Sequence, residues 1–112
     1  MALNIMENVT FKELEIGRSA ELKRRLTQKD IELFAAVSGD VNPAHMDEHY
    51  AENSLFHGVI GHGMWSGGLI STVLGTALPG PGTIYLQQDM HFKKPVMLGD
   101  EVTVRVLSLI HI

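Results

Sequence analysis

A run of apolar residues at positions 64–78 most constrains how this chain can fold. The run contains no proline and no charged residue, and glycine, serine and threonine alternate with large aliphatic side chains along it. A helix that is apolar on every side is buried, and 15 residues are fewer than the ~20 needed to span a bilayer. The run therefore predicts a buried helix whose small residues let a sheet wrap closely around it.

The remaining patterns predict an α+β order of strands and short helices. Thr27 followed by Asp30 resembles a capping box, and Gly39 can end the helix that begins there. Asp47 can cap a second short helix over 48–52. Apolar and polar residues alternate over 83–92, which predicts a long strand. Two further strands are expected at 20–26 and from Val102 onward.

Composition excludes several classes of protein. The 112 residues allow a single domain. A net charge of −4 with few basic clusters argues against nucleic-acid binding. The absence of cysteine excludes a disulfide framework and a Cys-based zinc site. We expect a cytoplasmic protein without nucleic-acid or membrane partners.

The loop from Gly39 to His45 places a carboxylate and an imidazole five residues apart, at Asp40 and His45. Pro43 restricts the backbone of Asn42 and stiffens this loop. An imidazole and a carboxylate can together transfer protons near neutral pH. The alternative is that Asp40 and Asn42 only form turns and that His45 is a surface histidine.

Gly63 stands where the apolar helix begins. A bare backbone N–H at a helix N-terminus suits a developing negative charge, as in an oxyanion hole. The alternative is that Gly63 only permits a tight turn. The six histidines invite a metal interpretation, but Pro43 and Asp47 put His45 ahead of a helix rather than on its face with His49. We therefore expect no metal.

Residues 34–47 resemble the signature of the (R)-specific enoyl-CoA hydratases, also called the MaoC-like hydratases. Further matches extend the resemblance over about residues 10–106, at 62–64, 69–71, 78–82, 84–86 and 92–100. The resemblance implies a hot-dog fold, in which an antiparallel sheet wraps around a long central helix, and a homodimer. Such domains add two more strands, so residues 1–112 are expected to form one hot-dog domain that is incomplete at its C-terminus.

The resemblance also implies roles for individual residues. Asp40 and His45 fall on the catalytic pair, and Gly63 falls on the glycine whose N–H binds the thioester oxygen. Asn42 and Pro43 fall on structural loop positions. The substrate-binding positions implied near the acyl chain are Ser71, Met64 and Trp65, of which Trp65 replaces the usual leucine.

The implied reaction is hydration of trans-2-enoyl-CoA to (R)-3-hydroxyacyl-CoA by acid–base catalysis without a cofactor. Which of Asp40 and His45 is the base stays open. Residues 64–71 are especially similar to hydratase domains fused ahead of a phosphate acetyltransferase domain, so the resemblance admits such a fusion without deciding it. The alternatives are a non-catalytic acyl-CoA-binding hot-dog domain and a hot-dog thioesterase. The thioesterase is disfavoured because residues 64–78 contain no acidic residue.

The C-terminal residues 107–112 break the valine alternation that precedes them. They can be encoded by CTG TCT CTT ATA CAC ATC, the sequence of a common transposon-based sequencing adapter. We therefore expect these residues to be adapter read-through, the alternative being a genuine short tail.

Overall fold

The computed structural model describes residues 8–10 and 13–109, so residues 110–112 of the expected read-through lie outside the described residues. The chain forms two compact units, one built from residues 23–66 and 90–102 and the other from the remaining described residues. The elements in chain order are β1 (Ser19–Arg25), α1 (Gln28–Ser38), α2 (Pro43–Met46), α3 (Glu48–Glu52), α4 (Gly63–Thr76) and β2 (Glu101–Leu107).

Strands β1 and β2 pair with each other in an antiparallel sheet. At one end the Gly17 N–H donates to the Ser108 carbonyl at 2.9 Å, and at the other the Leu26 N–H donates to the Asp100 carbonyl at 2.9 Å. Alternate side chains of β2 are half-buried, as the valine periodicity predicts. Both of these predicted strands are confirmed.

Helix α1 begins and ends where its local chemistry predicts. The Asp30 N–H donates to Thr27 Oγ1 at 3.1 Å, and the Thr27 N–H donates to the Asp30 carboxylate at 3.0 Å, which completes the capping box. Gly39 ends the helix in the left-handed region at φ 79°, where a residue without Cβ is unstrained. Ile31 and Ala35 form the buried face of α1, and they fix its orientation and hence where the following loop begins.

The predicted apolar helix is present as α4, but it is not buried on every side. Its buried positions include Leu69 and Val73, whereas Gly68, Ser71 and Thr72 are exposed. The large aliphatic side chains thus face the core of their unit, where burial is worth most, and Gly68, Ser71 and Thr72 line the open face.

The long strand expected over 83–92 is absent from the described part of the chain, where the one sheet consists of β1 and β2. That prediction is wrong for this structure. An extended segment becomes a strand only when a neighbouring segment pairs with its backbone N–H and C=O groups. Apolar alternation fixes which side chains share a face, but it does not supply that neighbour.

Among the described residues, no helix combines the length with the apolar character that crossing a membrane requires.

Candidate active site

A series of side-chain to backbone hydrogen bonds shapes the loop between α1 and α2. The Asp40 N–H donates to Ser38 Oγ at 3.1 Å, the Asn42 N–H to Asp40 Oδ1 at 3.1 Å, and the Ala44 N–H to Asn42 Oδ1 at 3.0 Å. Short polar side chains favour such bonds to the backbone two residues away. Each turn therefore sets the direction of the next, and the loop has one defined course.

Asn42 and Pro43 start α2, the four-residue helix that carries His45. Asn42 is the N-cap, and Pro43 occupies the first turn, where its missing N–H has no intrahelical acceptor to lose. The sequence did not predict this helix, because four residues are too few to show a hydrophobic period.

The His45 ring is held in one orientation by the main chain. His45 Nδ1 lies 2.7 Å from the Ile60 carbonyl oxygen. A carbonyl can only accept, so Nδ1 carries the proton of this bond and the neutral ring has its lone pair on Nε2. Ile60 is itself fixed by an antiparallel bridge to Met97. The geometry thus prepares His45 Nε2 to accept a proton.

Asp40, His45 and His62 come together as one cluster. The three side chains offer nitrogen and oxygen atoms that all lie within 4.8 Å of one another. Asp40 is exposed, His45 is half-buried and His62 is only 4% exposed. The structure therefore brings Asp40 and His45 together, as their spacing suggested, and adds the buried His62, for which the sequence pattern predicted no role.

Gly63 is the first residue of α4, so its N–H has no acceptor within the helix. The preceding Gly61 donates its N–H to the Val96 carbonyl at 2.8 Å. A Cβ on Gly61 would lie 2.6 Å from Leu26 Cδ2, a contact that a larger residue could make only by displacing the core. This close approach fixes the backbone that leads into Gly63.

Two clefts meet at the N-terminus of α4. One, of about 330 Å³, is lined by His45, Gly63, Ser66, Phe92 and Lys93 among others. The other, of about 480 Å³, is lined by Phe34, Ser38, Asp40, His62, Gly63, Met64 and Phe92. Gly63 lines both clefts, with His45 in one and Asp40 in the other. His45, Asp40 and Gly63 therefore line space of the size that small ligands occupy.

The cluster also has the donor types of a metal site, since one carboxylate and two imidazoles suit Zn²⁺. The three candidate ligand atoms lie within 4.8 Å of one another, which is close enough for the cluster to be considered as a site for one ion. The absence of a metal from the working protein stays a prediction.

The three positions expected near the acyl chain have different environments. Met64 is 47% exposed and lines the larger cleft. Trp65 is 8% exposed and belongs to the core, and Ser71 is exposed on α4. Their contact with a substrate stays a prediction.

The described residues place a carboxylate–imidazole pair beside the N-terminus of α4, and comparison with known proteins identifies the kind of domain that carries it. The MaoC like domain family matches residues 11–109. An (R)-specific enoyl-CoA hydratase of Rhodospirillum rubrum is 51% identical over 96 residues, which cover 86% of this chain and 67% of that protein. A 3-hydroxybutyryl-CoA dehydratase of Methylorubrum extorquens is 46% identical over 96 residues, which cover 86% of this chain and 61% of that protein.

A solved structure shows the same fold. The unliganded R-hydratase PhaJ1 from Pseudomonas aeruginosa superposes with a TM-score of 0.89 at 48% identity, covering 94% of this chain and 68% of that one. The chain belongs to the MaoC-like family, and the hot-dog fold expected from the sequence is confirmed. This chain spans roughly two thirds of the length of these relatives.

Replacing Asn42 tests whether the loop depends on its cap. We expect Asn42→Ala to lower the free energy of unfolding of the full-length protein by about 1 kcal/mol, the usual contribution of an N-cap. The Ala44 amide should exchange with solvent faster, because its acceptor is lost. Asn42→Asp keeps an acceptor and should behave as wild type, as should Val41→Ala at an exposed neighbour. Unchanged exchange at Ala44 in Asn42→Ala would contradict the role of the cap.

Proposed function

We propose that the protein hydrates trans-2-enoyl-CoA thioesters to (R)-3-hydroxyacyl-CoA. The observation that carries this proposal is the cluster of Asp40 and His45 beside the free N–H of Gly63. The identity of 51% with an (R)-specific enoyl-CoA hydratase supports it. The three groups match what the reaction requires: His45 takes a proton from water and returns it to the α-carbon, Asp40 helps to hold the water, and the Gly63 N–H donates to the thioester oxygen.

His45 is the base in this proposal, because its Nδ1–H is engaged by the Ile60 carbonyl and its Nε2 is left with the lone pair. A water bound between His45 Nε2 and the Asp40 carboxylate gives one proton to Nε2 as its oxygen attacks the β-carbon. The electron pair of the double bond moves to the α-carbon and the thioester oxygen. The Gly63 N–H donates to that oxygen as its negative charge develops.

The second half-reaction returns the same proton. The protonated His45 delivers it to the α-carbon, the enolate collapses to the thioester, and His45 regains its starting tautomer. The elements of one water are thereby added across the double bond, and no external acid or oxidant is consumed. Because one cluster handles both steps, hydroxyl and proton are added to the same face. The (R) configuration is proposed from the similarity to the R. rubrum hydratase.

Removal of either member of the pair tests the assignment. We expect Asp40→Asn and His45→Gln in the full-length protein each to lower the turnover of crotonyl-CoA by at least ~100-fold, the scale of lost acid–base catalysis. The decrease in absorbance of the conjugated thioester measures this rate. Melting temperatures close to wild type should show that the fold persists. Near wild-type turnover in either variant would refute the pair, and release of free CoA thiol would indicate a thioesterase.

Gly63→Ala tests the oxyanion donor. A Cβ at Gly63 would lie 3.1–3.4 Å from the ring atoms of Phe92 and would crowd the approach to the N–H. We expect kcat/KM to fall about tenfold or more, because alanine keeps the N–H but its Cβ displaces the thioester oxygen or the Phe92 ring, and a misplacement of about 1 Å can cost ~100-fold in rate. Gly68→Ala is the matched control, because a Cβ there meets open space on the same helix. Equal activity of both variants would argue against a role for the Gly63 N–H.

Two lysines give the smaller cleft a positive rim. Lys93 and Lys94 line this cleft together with His45 and Gly63, and both side chains are exposed. The phosphates of CoA are anionic, whereas the acyl thioester is neutral. We propose that the lysine pair attracts the phosphate end of the substrate while the thioester lies at Gly63.

The lysine proposal is tested with a substrate that lacks phosphate. We expect the double variant Lys93→Ala/Lys94→Ala to raise KM for crotonyl-CoA about fivefold, since exposed ion pairs contribute at most ~1 kcal/mol each. KM for the crotonyl thioester of N-acetylcysteamine should not change. Lys29→Ala, an exposed lysine of α1, serves as the control. An equal rise in KM for both substrates would contradict recognition of phosphate.

We also propose that the working protein is a cytoplasmic homodimer, with a fused phosphate acetyltransferase domain, which the sequence resemblance admits. Ile84 and Leu86, in the segment expected to form the long strand, are 79% and 90% exposed. Large apolar side chains exposed along one segment are typical of a surface that further chain covers. This exposure supports the dimer; the fusion and the location rest on the resemblance and the composition alone.

A further inference from the structure

We propose that His62 is a positioning residue that links Asp40 to His45 through a hydrogen bond to the first and a ring contact with the second. The inference deepens the proposed function and rests on it for the meaning of the pair. It gives a function to His62, the one buried polar side chain of the described core. The proposed hydration steps do not themselves use this side chain.

The hydrogen bond fixes the main chain that carries the carboxylate. His62 Nε2 lies 2.9 Å from the Asp40 carbonyl oxygen. The carbonyl can only accept, so Nε2 carries the hydrogen and the lone pair of the neutral ring lies on Nδ1. Asp40 is otherwise an exposed loop residue, and this bond attaches it to the residue that immediately precedes Gly63.

The ring contact fixes the imidazole. The rings of His62 and His45 are stacked, with centroids 4.1 Å apart and planes inclined by 28°. The ring of Phe34 contacts His62 at a centroid distance of 4.7 Å. His62 is 4% exposed, so it has little freedom to move. The plane of His45 is therefore set by two independent contacts, its bond to Ile60 and its contact with a fixed ring.

The unpaired nitrogen of His62 argues against a purely structural role. Its Nδ1 is buried and has no hydrogen-bond partner among the described residues. An unsatisfied buried acceptor destabilises a fold, and a phenylalanine of similar size would fill the space without that cost. What phenylalanine cannot do is donate to the Asp40 carbonyl. A histidine at this position is explained if its hydrogen bond to Asp40, next to the reacting groups, is worth more to the protein than the stability lost by burying an unpaired nitrogen.

Two variants separate the hydrogen bond from the ring contact. His62→Phe keeps an aromatic ring against His45 and Phe34 but removes the donor to Asp40. His62→Gln keeps an N–H donor at a similar reach but removes the ring. Because a displacement of 1 Å in an active site can cost ~100-fold in rate, we expect kcat for crotonyl-CoA in the full-length protein to fall at least tenfold in His62→Phe and less in His62→Gln. KM should stay within about twofold in both, since uniform binding of substrate is not affected. His49→Phe, at an exposed histidine of α3, should match wild type.

Long-range ¹H–¹⁵N spectra of the histidines provide a readout that does not depend on activity. In the wild-type protein we expect His62 as the Nε2–H tautomer and His45 as the Nδ1–H tautomer. In His62→Phe the His45 signals should broaden or shift toward a mixture of tautomers.

The proposal is overturned if His62 is the Nδ1–H tautomer in the wild type, a test that holds even if a variant fails to fold. It is also overturned if folded His62→Phe keeps kcat within threefold. A wild-type protein without hydratase activity but with the expected tautomers would refute the proposed function and leave the geometric assignment standing.

Discussion

The hydrogen bond between His45 Nδ1 and the Ile60 carbonyl is the interaction on which the site depends. It connects a loop made of local turns to the backbone that leads into α4. It sets the tautomer of the imidazole, and it brings His45 next to Asp40 and the helix N-terminus. Without this bond the ring could present either nitrogen to a substrate, and the loop would be joined to α4 at fewer points.

The Ile60 carbonyl is held in position to accept from His45 because backbone hydrogen bonds fix the residues on either side of it. The Leu98 N–H donates to the Val59 carbonyl at 3.1 Å, and the Gly61 N–H donates to the Val96 carbonyl at 2.8 Å. Gly61 packs directly against Leu26, which is 1% exposed and bonds through both its N–H and its C=O to residues 99–100. The end of β1, the start of α1 and the approach to Gly63 thus share one fixed point. Packing of apolar groups therefore determines where the polar groups of the site stand.

Local chemistry made part of this structure predictable from the sequence. The capping box of Thr27 and Asp30, the helix end at Gly39 and the five-residue spacing of Asp40 and His45 depend on neighbours in the chain. The role of His62 could not be predicted in the same way, because its bond to Asp40 joins residues 22 positions apart. A buried histidine directly before a helix-starting glycine was the available signal. The strand predicted over 83–92 was wrong for the related reason that the formation of a strand depends on distant residues.

The most direct test of this account is hydration of crotonyl-CoA by the full-length protein in D₂O, with NMR analysis of the 3-hydroxybutyryl product. If one cluster handles both proton steps, the product carries one deuterium at C2, added on the same face as the hydroxyl, and has the (R) configuration at C3. Addition to opposite faces, an (S) product or the absence of hydration would contradict the account.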